Sequence, residues 1–101
     1  MEQPDPPTAL FSSQNLITIG VVRALVDLGL HGTTALEGFD DVLLAEAVRP
    51  GLTVLAQDPV GLGRAGAERL FARLDGDESP TSETVLPVRL IERGSGEIVG
   101  P

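Results

Sequence analysis

Short aliphatic runs alternate with helix-period segments along almost all of this chain, and that alternation narrows it to one fold class. Thr8-Ala9-Leu10-Phe11 is an apolar run of strand length. From Leu16 to Leu28 apolar residues recur at helical spacing, and Gly29 stands where a helix-ending glycine belongs. Ser12 and Ser13 offer the N-cap, with Gln14 and Asn15 in the first turn. After the loop His31-Gly32-Thr33-Thr34, the stretch Ala35-Leu36-Glu37-Gly38 is a weak strand candidate, spoiled by its acid. Gly38-Phe39-Asp40-Asp41 then opens a short helix, Val42 to Val48, that ends before Pro50. Leu52 to Gln57 reads as a strand. Asp58-Pro59 starts a second long helix, since an N-cap acid followed by proline suits a first turn. Val60, Gly63, Ala67, Leu70 and Leu74 fall on one face of it, and Gly76 stops it. Thr84 to Glu92 is the last strand, with Pro87 marking an edge or a crossing point. This order predicts an α/β sandwich with a mostly parallel sheet.

The segments divide the 101 residues into a proline-rich lead-in over 1–7, a domain over 8–93 and a tail over 94–101. Fifteen acids against seven arginines, with no lysine, give a net charge of -8. Phosphate contacts need clustered cations, so this chain is not expected to touch nucleic acid itself. Cysteine is absent, which excludes disulfides and thiolate metal sites. No apolar run reaches membrane-spanning length, and the acidic N-terminus is unlike a signal peptide, so the expected compartment is the cytoplasm.

The first long helix carries Ile17, Val21, Ala24, Leu25 and Leu28 on one face and Ile19, Val22 and Val26 on the other. A helix apolar on two sides is usually covered twice. The second stripe packs either under another layer of the same chain or against a second copy. Asp40 caps the following helix or faces a ligand, and Gln57 bonds its local backbone or faces a ligand. Gly61-Leu62-Gly63-Arg64-Ala65-Gly66 formally fits a dinucleotide fingerprint, but these glycines fall after the helix has begun and so form no phosphate loop. The lone His31 has no nucleophile pattern near it and reads as an exposed loop residue. Asp75-Gly76-Asp77-Glu78 lacks the further ligands of a calcium loop. No catalytic set, cofactor or metal is expected.

Six segments together resemble the LacI/GalR family of transcriptional regulators. They are Pro7 to Asn15, Val22 to Leu30, the tetrapeptide Gly38-Phe39-Asp40-Asp41, Leu52 to Asp58, Gly63 to Gly76, and Leu86 to Ser95. They run in the family's order across about residues 7 to 95. The resemblance implies a partial periplasmic-binding-protein-like (type I) sandwich: the last third of an effector-sensing domain, without the helix-turn-helix headpiece. It implies that Gln14, Asp40 and Gln57 face a small-molecule effector, a sugar or related polyol. It also favours a homodimer through Ile19, Val22, Val26 and Val48. Carboxylates and side-chain amides suit hydroxyl-rich ligands because they accept, or donate and accept at once. All three positions lie at or beyond strand ends, where open parallel sheets place ligands.

Two departures from the family carry consequences. Only seven residues, His31 to Glu37, separate Leu30 from Gly38, where the family has about nine. Glu37 also stands at a position that should be core, and an unpaired buried carboxylate is costly. The strand there is expected to be shifted or lost. The helix from Pro59 to Leu74 would dock on a lobe not contained in these residues. The chain alone is therefore expected to be marginally stable and to bind an effector weakly or not at all.

Overall fold

A computed structural model describes residues 4–81 and 83–100. Met1 to Gln3 of the expected lead-in and Pro101 of the expected tail lie outside the described residues. The elements in chain order are β1 (Ala9–Ser12), α1 (Asn15–Asp27), β2 (Ala35–Phe39), β3 (Thr53–Ala56), α2 (Pro59–Leu74) and β4 (Arg89–Ile91), followed by a one-turn 3-10 helix (Ser95–Glu97). Where one domain over 8–93 is expected, the chain divides into two compact units. One holds the chain up to Ala56 and again from Arg89, and the other is Gln57–Val88.

The first unit is a four-stranded sheet in the order β1-β2-β3-β4. β1 pairs with β2 and β2 with β3 in parallel, and β4 lies antiparallel to β3. This is the mostly parallel α/β sheet that the segment order predicts. α1 covers one face. Its inward stripe is Thr18, Val21, Val22 and Leu25, the i, i+3, i+4, i+7 positions of one helical face, with Thr18 and Leu25 buried. Ile17 and Leu28, expected on the core face, are exposed instead. Leu25 meets Leu36, Ala45, Leu52 and Val54 in the core, and Leu10, Leu30, Val48 and Ile91 pack around them. Burying a leucine of this kind is worth about 2 kcal/mol.

Local chemistry explains the ends of α1. Its N-cap is Gln14, not Ser12 or Ser13: the Gln14 side chain accepts from the Ile17 N–H at 3.1 Å. Ser12 is the buried last residue of β1, and its hydroxyl oxygen accepts from the Thr18 hydroxyl at 2.7 Å. At the other end Gly29 has φ +70, its N–H donates to the Val26 carbonyl, and the Leu30 N–H reaches back to the Leu25 carbonyl at 2.8 Å. That is a Schellman ending, and Leu30 then packs against the core beside Leu25.

Three segments depart from expectation. β2 is neither shifted nor lost. It is an interior strand, with Glu37 in register between Phe11 and Thr53. Leu36 and Gly38 turn toward α1, so strand alternation sends Glu37 to the opposite face, where it is only half-buried. The expected helix over Val42–Val48 is a series of turns. Leu44 sits at φ +66, and the bonds Ala45 N–H to Val42 and Ala47 N–H to Leu44 each span three residues, not four. A helix cannot continue through a left-handed residue. Finally, the strand expected from Thr84 to Glu92 shrinks to the three residues of β4, at the sheet edge.

The stretch after Arg93 is tied to the sheet. Ser95 is buried, its hydroxyl donates to the Leu36 carbonyl at 2.6 Å, and its oxygen accepts from the Thr53 N–H at 2.9 Å. One side chain thus satisfies backbone groups of two neighbouring strands. The Glu97 carboxylate accepts from the Thr53 hydroxyl at 2.6 Å.

The second unit contains α2. Asp58 caps it, accepting from the Gly61 N–H at 3.0 Å, with Pro59 in the first turn. Asp75 is its C-cap and Gly76 follows at φ +101. No residue of α2 is buried, and Val60, Leu70, Phe71 and Leu74 are all more than half exposed. No helix among the described residues is long and apolar enough to cross a membrane.

Candidate functional site

Parallel pairing aligns the C-terminal ends of β1, β2 and β3 along one edge of the sheet. Register sets Ser12 beside Gly38 and Phe39 beside Leu55. Gln14 and Asp40 each lie two residues beyond the paired Ser12 and Gly38, so neighbouring strands deliver them to the same level.

The Gln14 side chain is exposed and engaged as the helix cap described above. Asp40 is half-buried and follows β2 directly. Its backbone is left-handed at φ +80, and its N–H donates to the Leu55 carbonyl at 2.8 Å, extending the ladder past the strand end. An aspartate tolerates this conformation better than most residues, though seldom without support. Gln57 is half-buried, directly follows β3 and is the first residue of the second unit.

Asp41 does something the sequence did not disclose. Its two carboxylate oxygens receive the two terminal nitrogens of Arg93 at 2.8 and 3.0 Å. The same guanidinium donates to the Leu52 carbonyl at 3.2 Å, and the Arg93 N–H donates to the Thr53 hydroxyl at 3.1 Å. The hydrogen bond from Arg93 is the largest influence on Asp41 and holds its carboxyl below the usual carboxylate range, against a smaller opposing effect of burial. The only local signal is an arginine just before Gly94 at the end of a strand. Fifty-two residues separate the partners, and no periodicity links them.

The four residues expected at a subunit interface fall into two groups. Ile19 and Val26 are about half exposed, at 44% and 50%. Val22 and Val48 are partly buried against the core. Val22, Val26 and Val48 line one cavity of about 210 Å³, together with Leu25, Leu36 and Leu52. His31 and Arg49 stand at that cavity too, and both are exposed. Gly61, Gly63 and Gly66 all lie within α2, so the fingerprint-like run is helix and not a phosphate loop.

Three parallel strands with an antiparallel fourth at the edge, covered by α1 on one face, make a binding-protein-like α/β sheet. Residues 1–96 match the model of the periplasmic binding protein-like domain, and the chain belongs to that family. It is similar to the "Probable opine utilization operon repressor" of Rhizobium rhizogenes, 44% identical over 96 residues, a match that covers 91% of this chain and 48% of the relative. Among solved structures it is similar to a LacI family transcriptional regulator from Enterococcus faecium with bound ribose. There the TM-score is 0.80 at 28% identity, covering 94% of this chain and 36% of that one. A LacI family regulator from Arthrobacter sp. FB24 in complex with lactose gives a TM-score of 0.72 at 33% identity, covering 89% of this chain and 35% of that one. The chain thus spans about half the length, or less, of these relatives.

Proposed function

We propose that this chain supplies one wall of a small-molecule effector site in a LacI-type transcriptional regulator, and that the effector is a sugar or a related polyol. The observation that carries the reading is Asp40: a half-buried aspartate with a left-handed backbone directly past an interior parallel strand. That is where open α/β sheets bind ligands. A carboxylate there accepts from two hydroxyls of a polyol. Gln14, two residues beyond the end of the neighbouring strand, adds an amide whose nitrogen donates while its oxygen also caps α1. Gln57 stands as a third candidate on its strand-end position alone. The similar regulators solved with ribose and with lactose support the ligand class. The role is binding, not catalysis, in the cytoplasm. A net charge of -8 favours no nucleic-acid contact from this chain.

The test is chemical-shift mapping of the isotope-labelled chain against ribose, lactose, a sugar acid and an opine. NMR detects the weak binding expected of one wall. Amides of Gln14, Asp40 and their neighbours shift with at least one ligand, and Asp40→Asn abolishes the shifts. No response to any of the four ligands at high concentration defeats the reading.

A second reading, association with another copy through Ile19, Val22, Val26 and Val48, has its own support. Val26 and Ile19 are large exposed apolar groups on one helix, and Val22, Val26 and Val48 share one cavity. Under this reading the chain acts by pairing, whether or not it binds an effector.

A further inference from the structure

Asp40 stands in a conformation that a side chain resists, and the structure holds it from both sides. Upstream, Phe39 is paired with Leu55 in the sheet, and the Asp40 N–H donates to the Leu55 carbonyl at 2.8 Å. Downstream, the chain leaves the sheet and enters turns in which Leu44 is also left-handed, at φ +66. On that side Val42 and Ala45 pack against the core and the Leu52 N–H donates to the Ala45 carbonyl, and next to Asp40 itself Asp41 is gripped at both oxygens by Arg93. Arg93 is itself well anchored. Its side chain is 13% exposed, its guanidinium bonds the Leu52 carbonyl, its N–H bonds the Thr53 hydroxyl, and Gly94 follows at φ +124 against Pro50. A fork-to-fork arginine–carboxylate pair fixes direction as well as distance.

We propose that Arg93 and Asp41 are positioning residues for Asp40: the pair holds the turn after β2 so that the Asp40 backbone stays left-handed and its carboxylate stays aimed at the effector. This rests on the reading of Asp40 as an effector contact. Neither positioning residue needs to touch the ligand. Arg93 follows β4, the strand by which the chain returns after residues 57–88, so the last strand of the sheet sets the geometry at the end of its second strand.

The test uses the full chain, wild type against Asp41→Asn, Arg93→Lys and Arg93→Met. Two readouts are taken. The first is the strong intraresidue amide-to-Hα NOE of Asp40, the mark of a left-handed residue, together with exchange of the Asp40 amide. The second is affinity for whichever sugar or polyol the wild type binds. Asp41→Asn leaves the Arg93 bond to Leu52 available and so keeps the core intact should Arg93→Met fail to fold. In Asp41→Asn and Arg93→Met the Asp40 NOE weakens, its amide exchanges faster, and affinity falls roughly tenfold or more, as when a charged hydrogen bond is misaligned. Arg93→Lys, which keeps the charge and loses the fork, falls between. An unchanged Asp40 NOE and unchanged affinity in folded Asp41→Asn overturn the proposal. A wild type that binds no ligand removes the effector reading, and the NOE then still decides whether the pair holds Asp40.

Discussion

Thr18 occupies the space that a side chain at Gly38 would need. A Cβ built on Gly38 comes within 3.0 Å of the Thr18 hydroxyl oxygen and 3.1 Å of its methyl carbon, and Thr18 is fully buried. The Thr18 hydroxyl is tied to Ser12 at the end of β1, so it cannot simply rotate away. The glycine of the Gly-Phe-Asp-Asp turn therefore lets α1 lie close on β2, since an added Cβ would push the Thr18 side chain away by a few tenths of an ångström.

Gly38→Ala should destabilise the chain by about 1–2 kcal/mol, the usual cost of overpacking a tight contact. Urea unfolding measures it. Combining it with Thr18→Ala should give less than the sum of the two losses, because the clash disappears. Simple additivity would show that the contact does not set the spacing.

Ser95→Ala should cost about 2–3 kcal/mol, since it leaves the buried Leu36 carbonyl and Thr53 N–H without their partner. The amides of Thr53 and Ser95 should lose hydrogen-exchange protection first. A loss no larger than that of an exposed serine would mean that the strap beyond Arg93 does not hold β2 to β3.

The Asp41–Arg93 pair makes a pH prediction. Its folded carboxyl titrates below the ordinary value of 3.8, so its stabilisation is fully present above that value. It disappears as pH falls below 3.8 and through the folded value. The Asp41 side chain is 42% exposed, so solvent screening limits the contribution to about 1 kcal/mol or less. Asp41→Asn should thus lower the urea midpoint at pH 7 and at pH 5, and match wild type well below pH 3.8. A gap that persists at the lowest pH would trace the loss to packing instead of charge.

If the α1 stripe pairs two copies, Val26→Asp should weaken association roughly tenfold or more, because a carboxylate in an apolar contact is left unpaired. Sedimentation velocity reads this. Ala24→Asp, also exposed on α1 but outside the stripe, should leave it unchanged. Equal effects of the two would remove Val26 from the interface.

Much of this was legible in the chain alone. Periodicity located α1 and α2 nearly to the residue, Gly29 and Gly76 marked their ends, and Asp58-Pro59 marked the start of α2, because these signals act within one or two turns of backbone. The order of elements implied a mostly parallel sheet, and the ordered motifs pointed to the family. What local pattern could not decide was which way a side chain faces once strands pair. Glu37 argues against a strand when read in isolation, yet β2 forms because its neighbours on both sides fix the register and turn the acid away from α1. Val42 to Val48 has helix-forming residues, yet the turn after Asp40 and the left-handed Leu44 break it. Asp41 meets Arg93 only because β3 and β4 carry the chain back beside the end of β2. Contacts across some fifty residues are chosen by sheet order and packing, and those exist only once the chain has folded.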